Sequence, residues 1–241
     1  MTQQLLNTYY GANQDLDVLI DKIKHSINQD VNTLVTHFEM TDDIQEHLQD
    51  QLNTHIHIFD TVDDYQTAYG IDSPWTRPKS IIYLESAHCL FQNKLHLDLT
   101  NQPSVAIMTA GTADQPVADE AALTVLLQGF NVTFGADAGI NNLAKTQSTL
   151  NDLEQNANVI IAAQGFEGML PCVVASLSNL PIISVPTDTG YGVSKDGTVA
   201  LNTSLSACTS GITTVNINNG FGAGQFAVRI CQQIKQFSKN H

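Results

Sequence analysis

The sequence predicts an α/β protein whose second half is a doubly wound parallel sheet, in three layers, preceded by a smaller α/β region. Two observations carry this. From residue 103 onward, short apolar runs alternate with segments of helical periodicity, the pattern of a parallel sheet covered on both faces. Each predicted strand of that half also ends in a turn rich in glycine and hydroxyls, as ligand-binding edges of such sheets do. The boundary is placed between residues 1–102 and 103–241.

In chain order, a helix is predicted at about 16–27 and another near 43–52, with strands at 55–59 and 81–84. The stretch 72–79, with two prolines and a serine, reads as a loop. The second half is more regular. Its strands are expected at 104–109, 132–134, 159–163, 182–185 and 213–217. Between and after them lie helices at 116–128, 148–156, 170–178, 198–207 and 223–237. Pro116 fits only the first turn of its helix, and Gly129 ends it. The run 159–163, VIIAA, is apolar throughout, as a strand buried on both faces must be. The last helix carries Phe226, Ile230, Ile234 and Phe237 at helical spacing, a stripe suited to a subunit contact.

Composition narrows the function classes. The net charge is −14, from 10 Lys and Arg against 24 Asp and Glu, so nucleic acid is an unfavourable partner. The excess is uneven: residues 1–102 hold 15 acids and 5 bases, residues 103–241 hold 9 and 5. Seven of the eight histidines precede Pro103 and the eighth is His241, which leaves no histidine base or ligand between them. No apolar run is long enough for a membrane span and the first residues do not read as a signal peptide, so a cytoplasmic location without membrane contact is expected. Cys89, Cys172, Cys208 and Cys231 match no metal-binding spacing and are expected as free thiols, with Cys172, inside an apolar helix, in the core.

The chemistry gathers in the turns. Glu167 sits in the glycine-flanked Q-G-F-E-G (164–168) directly after the most apolar strand, where catalytic groups of open α/β sheets stand. The competing reading puts it in the first turn of the next helix, held by the helix dipole. T-A-G-T-A-D (109–114), P-T-D-T-G-Y-G (186–192) and N-N-G-F-G-A-G (218–224) are the other turns. Small residues let a ligand approach the main chain, and helix N-termini offer unpaired N–H groups to phosphate. A nucleotide-sized anion cradled by Thr109, Gly111, Thr112, Asp114, Gly165, Gly168, Thr187, Gly190, Tyr191, Gly192, Asn219, Gly220 and Gly222 is the expected ligand. Neither GxGxxG after a first strand nor a Walker-type loop is present; N-G-F-G-A-G follows the last strand. Cys208, at a helix C-terminus in S-A-C-T-S-G, is by position alone a capping or buried thiol.

Five blocks in order, T-A-G-T-A-D-Q-P-V-A-D-E-A-A, G-F-E-G-M-L-P-C-V-V-A-S-L, V-P-T-D-T-G-Y-G, L-S-A-C-T-S-G-I and V-N-I-N-N-G-F-G-A-G, resemble the LarB family over about residues 103–227. That family is similar in its flavodoxin-like fold to the aminoimidazole ribonucleotide carboxylases and mutases, and makes the precursor of the nickel-pincer nucleotide cofactor of lactate racemase. The resemblance implies a carboxylase and hydrolase. Such an enzyme carboxylates the pyridinium ring of nicotinate adenine dinucleotide, using CO2 or bicarbonate, and hydrolyses its phosphoanhydride, releasing AMP and a pyridinium biscarboxylate mononucleotide. It implies Cys208 as the nucleophile that adds covalently to the ring and Glu167 as the base that restores aromaticity. It further implies Thr112 and Asp114 in the nucleotide-binding turn, with Asp114 accepting ribose hydroxyls, and Gly190, Tyr191 and Gly192 in a loop over the ring. Magnesium with no assigned protein ligands, no organic cofactor, and a homo-oligomer, an octamer, complete the expectation.

The sequence departs from that pattern in places. Residues 28–43, NQDVNTLVTHFEMTDD, hold no arginine or lysine where the family has basic residues. Its His-Arg pair is replaced by Asn141 and Asn142, and N-I-D-N-G becomes 216–220 with Asn218. A catalytically weak nucleotide-binding accessory protein is the alternative these losses suggest. A purine-pathway aminoimidazole ribonucleotide carboxylase or mutase is a third reading, disfavoured because that chemistry resembles acid catalysis by a histidine this half lacks.

Overall fold

The computed structural model describes residues 6–29, 31–62, 64, 67, 81–92, 99 and 101–238. The chain divides into two compact units, Met1–Asp98 and Leu99–His241. The predicted loop at 72–79 lies outside the described residues.

The first unit holds strands β1 (Leu6–Tyr10), β2 (Asn32–Thr36), β3 (Ile56–Phe59), β4 (Ile81–Leu84) and β5 (Cys89–Gln92), with helices α1 (Leu16–Ile27) and α2 (Asp42–Leu52). Its sheet runs β1-β2-β5-β4-β3 and is mixed, β5 lying antiparallel to both β2 and β4. Helix α1 starts where Asp15 accepts the N–H groups of Asp17 and Val18, and α2 where Thr41 accepts that of Ile44. Leu19, Ile20 and Ile23 of α1 and Leu48 of α2 pack on Val35, Ile56, Ile81, Tyr83 and Leu90 of the sheet. Each side chain so buried contributes roughly 1.5–3 kcal/mol.

The second unit carries the α/β architecture the alternation predicts. Its strands are β6 (Ser104–Thr109), β7 (Asn131–Gly135), β8 (Val159–Gln164), β9 (Ile182–Pro186) and β10 (Ile212–Thr214). Helices α3 (Gln115–Leu126), α4 (Leu143–Glu154), α5 (Leu170–Leu177), α6 (Thr198–Leu205) and α7 (Gly220–Ser238) connect and follow them. All pairings are parallel and the order is β10-β9-β8-β6-β7. Numbered within this unit that is 2-1-3-4-5, so the chain reverses direction across the sheet between β6 and β8, opening a crevice at their carboxyl ends.

Strand alternation sorts the two faces. Ala106, Met108, Ile160, Ala162 and Ile182 meet Leu150 and Leu153 of α4 and Leu170 and Val174 of α5. On the opposite face α3 and α7 pack tightly against each other and on the sheet. They approach closely because α7 presents Gly220, Ala223, Gly224 and Ala227 along its buried side. A Cβ on Gly224 would stand 2.7 Å from Thr124 Cβ and 2.8 Å from the Ala121 carbonyl. The aromatic stripe of α7 therefore takes no part in this seam: Phe226 and Phe237 are exposed, at 44% and 66%.

Candidate functional site

The site is built from the turns that follow β6, β8, β9 and β10, and one side chain joins three of them. Asp114, 3% exposed, has both carboxylate oxygens engaged by the protein. Its Oδ2 accepts the Gly111 N–H at 3.0 Å. Its Oδ1 accepts the Gly165 N–H at 3.2 Å and the Thr187 hydroxyl at 2.6 Å. Burial pushes the Asp114 carboxyl above its ordinary range, and these hydrogen bonds pull it partly back. A ribose contact by Asp114, which the family resemblance implied, would need an oxygen that already faces a protein donor. In this arrangement Asp114 acts by positioning the backbone around it.

Gly165 is required by that junction, since a Cβ there would collide with the Thr189 carbonyl and reach within 2.8 Å of Thr187 Oγ1. Gly168, at φ +71, passes against Ala200 of α6 with no room for a side chain. Between them the chain turns through Phe166, whose N–H donates to the Thr189 carbonyl at 2.8 Å. A second link joins the next pair of turns: Asn218, at φ +56, accepts the Asp188 N–H at 3.0 Å and gives its own N–H to the Pro186 carbonyl at 2.8 Å. Asparagine, which tolerates the left-handed region and accepts locally, suits that position.

Glu167 stands in the turn before α5, exposed, and outside the helix. Its Oε1 accepts the Gln164 side-chain N–H at 2.8 Å, while Gln164 Oε1 accepts the Leu170 N–H. Gln164 is 4% exposed, so a buried amide at the strand end fixes both the start of α5 and one oxygen of Glu167. This positioning role was missed in the sequence. Its only signal was an amide closing an otherwise apolar strand.

Cys208 is exposed in the turn between α6 and β10. Cys172, expected in the core, is only partly buried and lies in the first turn of α5. Burial holds the Cys172 thiol up and a thiolate at Cys208 raises it further. Buried Cys231, by contrast, is pushed up to about 12 by desolvation alone, an inert thiol.

The remaining predicted residues divide by exposure. Thr109 is buried, its hydroxyl accepting the Asp137 N–H at 3.2 Å, and Thr187 is buried against Asp114. Thr112 is exposed, as are Tyr191 at 79% and the open left-handed turn of Gly192; Gly190 passes close to the Ser194 backbone. Asn219 caps α7 by accepting the Gly222 N–H at 2.7 Å. Gly220, expected to face a ligand, and the neighbouring Phe221 direct their N–H groups at Glu120 of α3, whose Oε2 accepts the latter at 2.9 Å. Burial pushes the Glu120 carboxyl up to about 7 against those hydrogen bonds. Asn142, at one of the positions of a basic pair in the resembled family, caps α4 by accepting the Lys145 N–H. Among the described residues no group of three or more His, Cys, Asp or Glu forms a metal cage.

Strand order and turns together define a flavodoxin-like doubly wound domain with a carboxylate and a thiol exposed beside its sheet. The AIR carboxylase family profile matches residues 104–240, and the chain belongs to that family. Membership supports an enzyme of the carboxylase or mutase kind. An uncharacterized protein of Methanocaldococcus jannaschii is 44% identical over 124 residues, which are 51% of this chain and 47% of that protein; the chain thus spans about half the length of that curated relative. Among solved structures, a LacI family transcriptional regulator from Bifidobacterium animalis subsp. lactis aligns over 95% of this chain and 90% of its own at 15% identity and a TM-score of 0.32, too distant a likeness to bear on fold or function. No described helix is long and apolar enough to cross a membrane.

Proposed function

We propose that the second unit carboxylates the pyridinium ring of nicotinate adenine dinucleotide and hydrolyses its phosphoanhydride, releasing AMP and a pyridinium biscarboxylate mononucleotide for the nickel-pincer cofactor. The observation that carries the reading is the exposed Cys208 thiol together with Glu167, a carboxylate steadied by Gln164 at the end of β8. A pyridinium ring is electron-poor and does not attack carbon dioxide. The Cys208 thiolate adds to a ring carbon, and the ring becomes an electron-rich dihydropyridine. A ring carbon then attacks CO2, forming the carbon–carbon bond. Glu167 takes the proton from that carbon, and the thiolate leaves with its electron pair as the ring regains aromaticity. The net change is replacement of one ring hydrogen by a carboxylate with release of one proton.

The 111–114 and 164–168 turns, tied together by Asp114, border the crevice at the ends of β6 and β8. Among the described residues the carboxylates form no metal cage. The expected magnesium ion commonly binds through substrate phosphates, and no step is assigned to it. The exposed Phe226 and Phe237 on α7 support assembly into a homo-oligomer. The family name also suggests aminoimidazole ribonucleotide as substrate, but residues 103–240 contain no histidine to act as its acid.

The test is incubation with nicotinate adenine dinucleotide, bicarbonate and magnesium, followed by mass spectrometry. AMP and a ring bearing one added carboxylate are expected, with loss of both in Cys208→Ser. Glu167→Gln should form the near-ultraviolet-absorbing adduct without product. Binding without either product would replace the enzyme by an accessory nucleotide-binding protein.

A further inference from the structure

Phe166 occupies a backbone position that favours glycine. Its φ is +48, in the left-handed region where a Cβ crowds the following carbonyl. Residues kept in such positions cluster at functional sites. Core packing does not explain the choice, because Phe166 remains 39% exposed. Its ring instead meets Tyr191, itself 79% exposed, with centroids 5.4 Å apart and planes at 88°. The two rings reach this corner from different turns. Phe166 follows β8, Tyr191 follows β9, and the Phe166 N–H bond to the Thr189 carbonyl joins the turns beneath them.

Two aromatic walls at right angles offer a planar ring one face to stack on and one edge to meet. Their π-faces are electron-rich, and the next residue is the exposed carboxylate Glu167. The local charge is therefore complementary to a cation. We propose that Phe166 and Tyr191 form a recognition corner for a planar cationic heteroaromatic ring, an N-substituted pyridinium, and select it over its neutral reduced form. This rests on the reading of the site as one for pyridine nucleotides. It adds Phe166 as a specificity-determining residue and gives Tyr191, already expected over the ring, a part in the choice of redox form.

The test uses full-length Cys208→Ser protein, so that no thiol adduct favours the oxidised ring, and calorimetric titration with oxidised and reduced nicotinamide mononucleotide. The oxidised form should bind more tightly, on the order of tenfold. Phe166→Gly in that background should erase the preference while the melting temperature holds or rises, since glycine relieves the left-handed backbone. Tyr191→Leu should erase most of it, and Phe166→Tyr should keep it. Equal binding of both forms by the parent would overturn the corner and leave the nucleotide reading standing. Binding of neither would overturn both. A preference that survives in Phe166→Gly, a melting temperature that falls by several degrees, or a changed mass by light scattering would each reassign the rings to structure or to a subunit contact.

Discussion

Each unit ties its strand ends together through one buried side chain, and the two ties differ in chemistry. In the first unit it is Tyr83, whose hydroxyl donates to the Phe38 carbonyl at 3.0 Å, accepts the Met40 N–H at 3.3 Å and lies 3.2 Å from His88 Nδ1. In the second it is Asp114, which accepts from Gly111, Gly165 and Thr187. A phenol both donates and accepts, so it can bridge a carbonyl and an N–H. A carboxylate only accepts, so it gathers donors and turns them inward. The second unit's turns consequently converge on one charged centre. Desolvation raises the ordinary pKa of both groups, which are maintained by their hydrogen bonds at the expense of solvation.

The most severe way to break this contrast is Asp114→Ala. It leaves the buried Thr187 hydroxyl and the Gly165 N–H without their acceptor, and hydrogen bonds to charged groups are among the costliest to lose. A loss on the order of 3–5 kcal/mol is expected, read by urea unfolding with hydrogen exchange resolving the two units. Asp114→Asn, which keeps one acceptor, should fall between it and the wild type.

The pH response sharpens the comparison because the two units carry opposite signs. Glu120 has a folded pKa of about 7 against an ordinary value of 4.5, so the native second unit holds a proton that the unfolded chain has released. Its stability should fall as the pH rises from about 4.5 to 7, by as much as roughly 3 kcal/mol. Glu120→Gln should flatten that slope and raise the melting temperature at pH 8. His37 in the first unit is shifted the other way, by burial first and by His88 second. Stability from that group is present above pH 6.5 and declines as the pH falls below it, so acid should loosen the first unit while it firms the second.

Smaller effects complete the series. Tyr83→Phe removes one neutral bridging group and should cost about 1 kcal/mol, seen as a shift of the first unit's transition alone. Cys172→Ser is nearly isosteric and partly exposed, so unfolding should move by less than about 0.5 kcal/mol. Under the proposed chemistry, it should leave formation of a Cys208 adduct intact by absorbance.

The second unit was the more legible because a parallel sheet buries both faces: SVAIMT and VIIAAQ are uniformly buried, and such runs read as strands without alternation. The predicted strand at 213–217 was too long. Pairing in β10 ends at Thr214, beyond which the chain swings toward the Asn218 turn. The helix expected from 148 begins at Leu143, because Asn142 supplies a cap that the apolar pattern does not reveal. Strands β1, β2 and β5 escaped notice for a different reason. β2 is NTLVT, buried at every position although three of its five residues are polar, and β5 is four residues closing a turn. At the site, Glu167 was visible from its placement after β8, whereas the engagement of Asp114, Gln164 and Glu120 was not. Hydrogen bonds spanning 51 and 101 residues, from Gly165 to Asp114 and from Phe221 to Glu120, leave no local trace.

The junction at Asp114 also bears on how such a domain can be altered. Segments 111–114, 165–168 and 187–189 share the acceptor Asp114, so exchanging 111–114 for a piece without an aspartate at that position would strand the Gly165 N–H and the Thr187 hydroxyl. A graft that aims to change what this edge binds therefore has to keep the aspartate at 114 and a hydroxyl at 187, whichever of the turns it replaces.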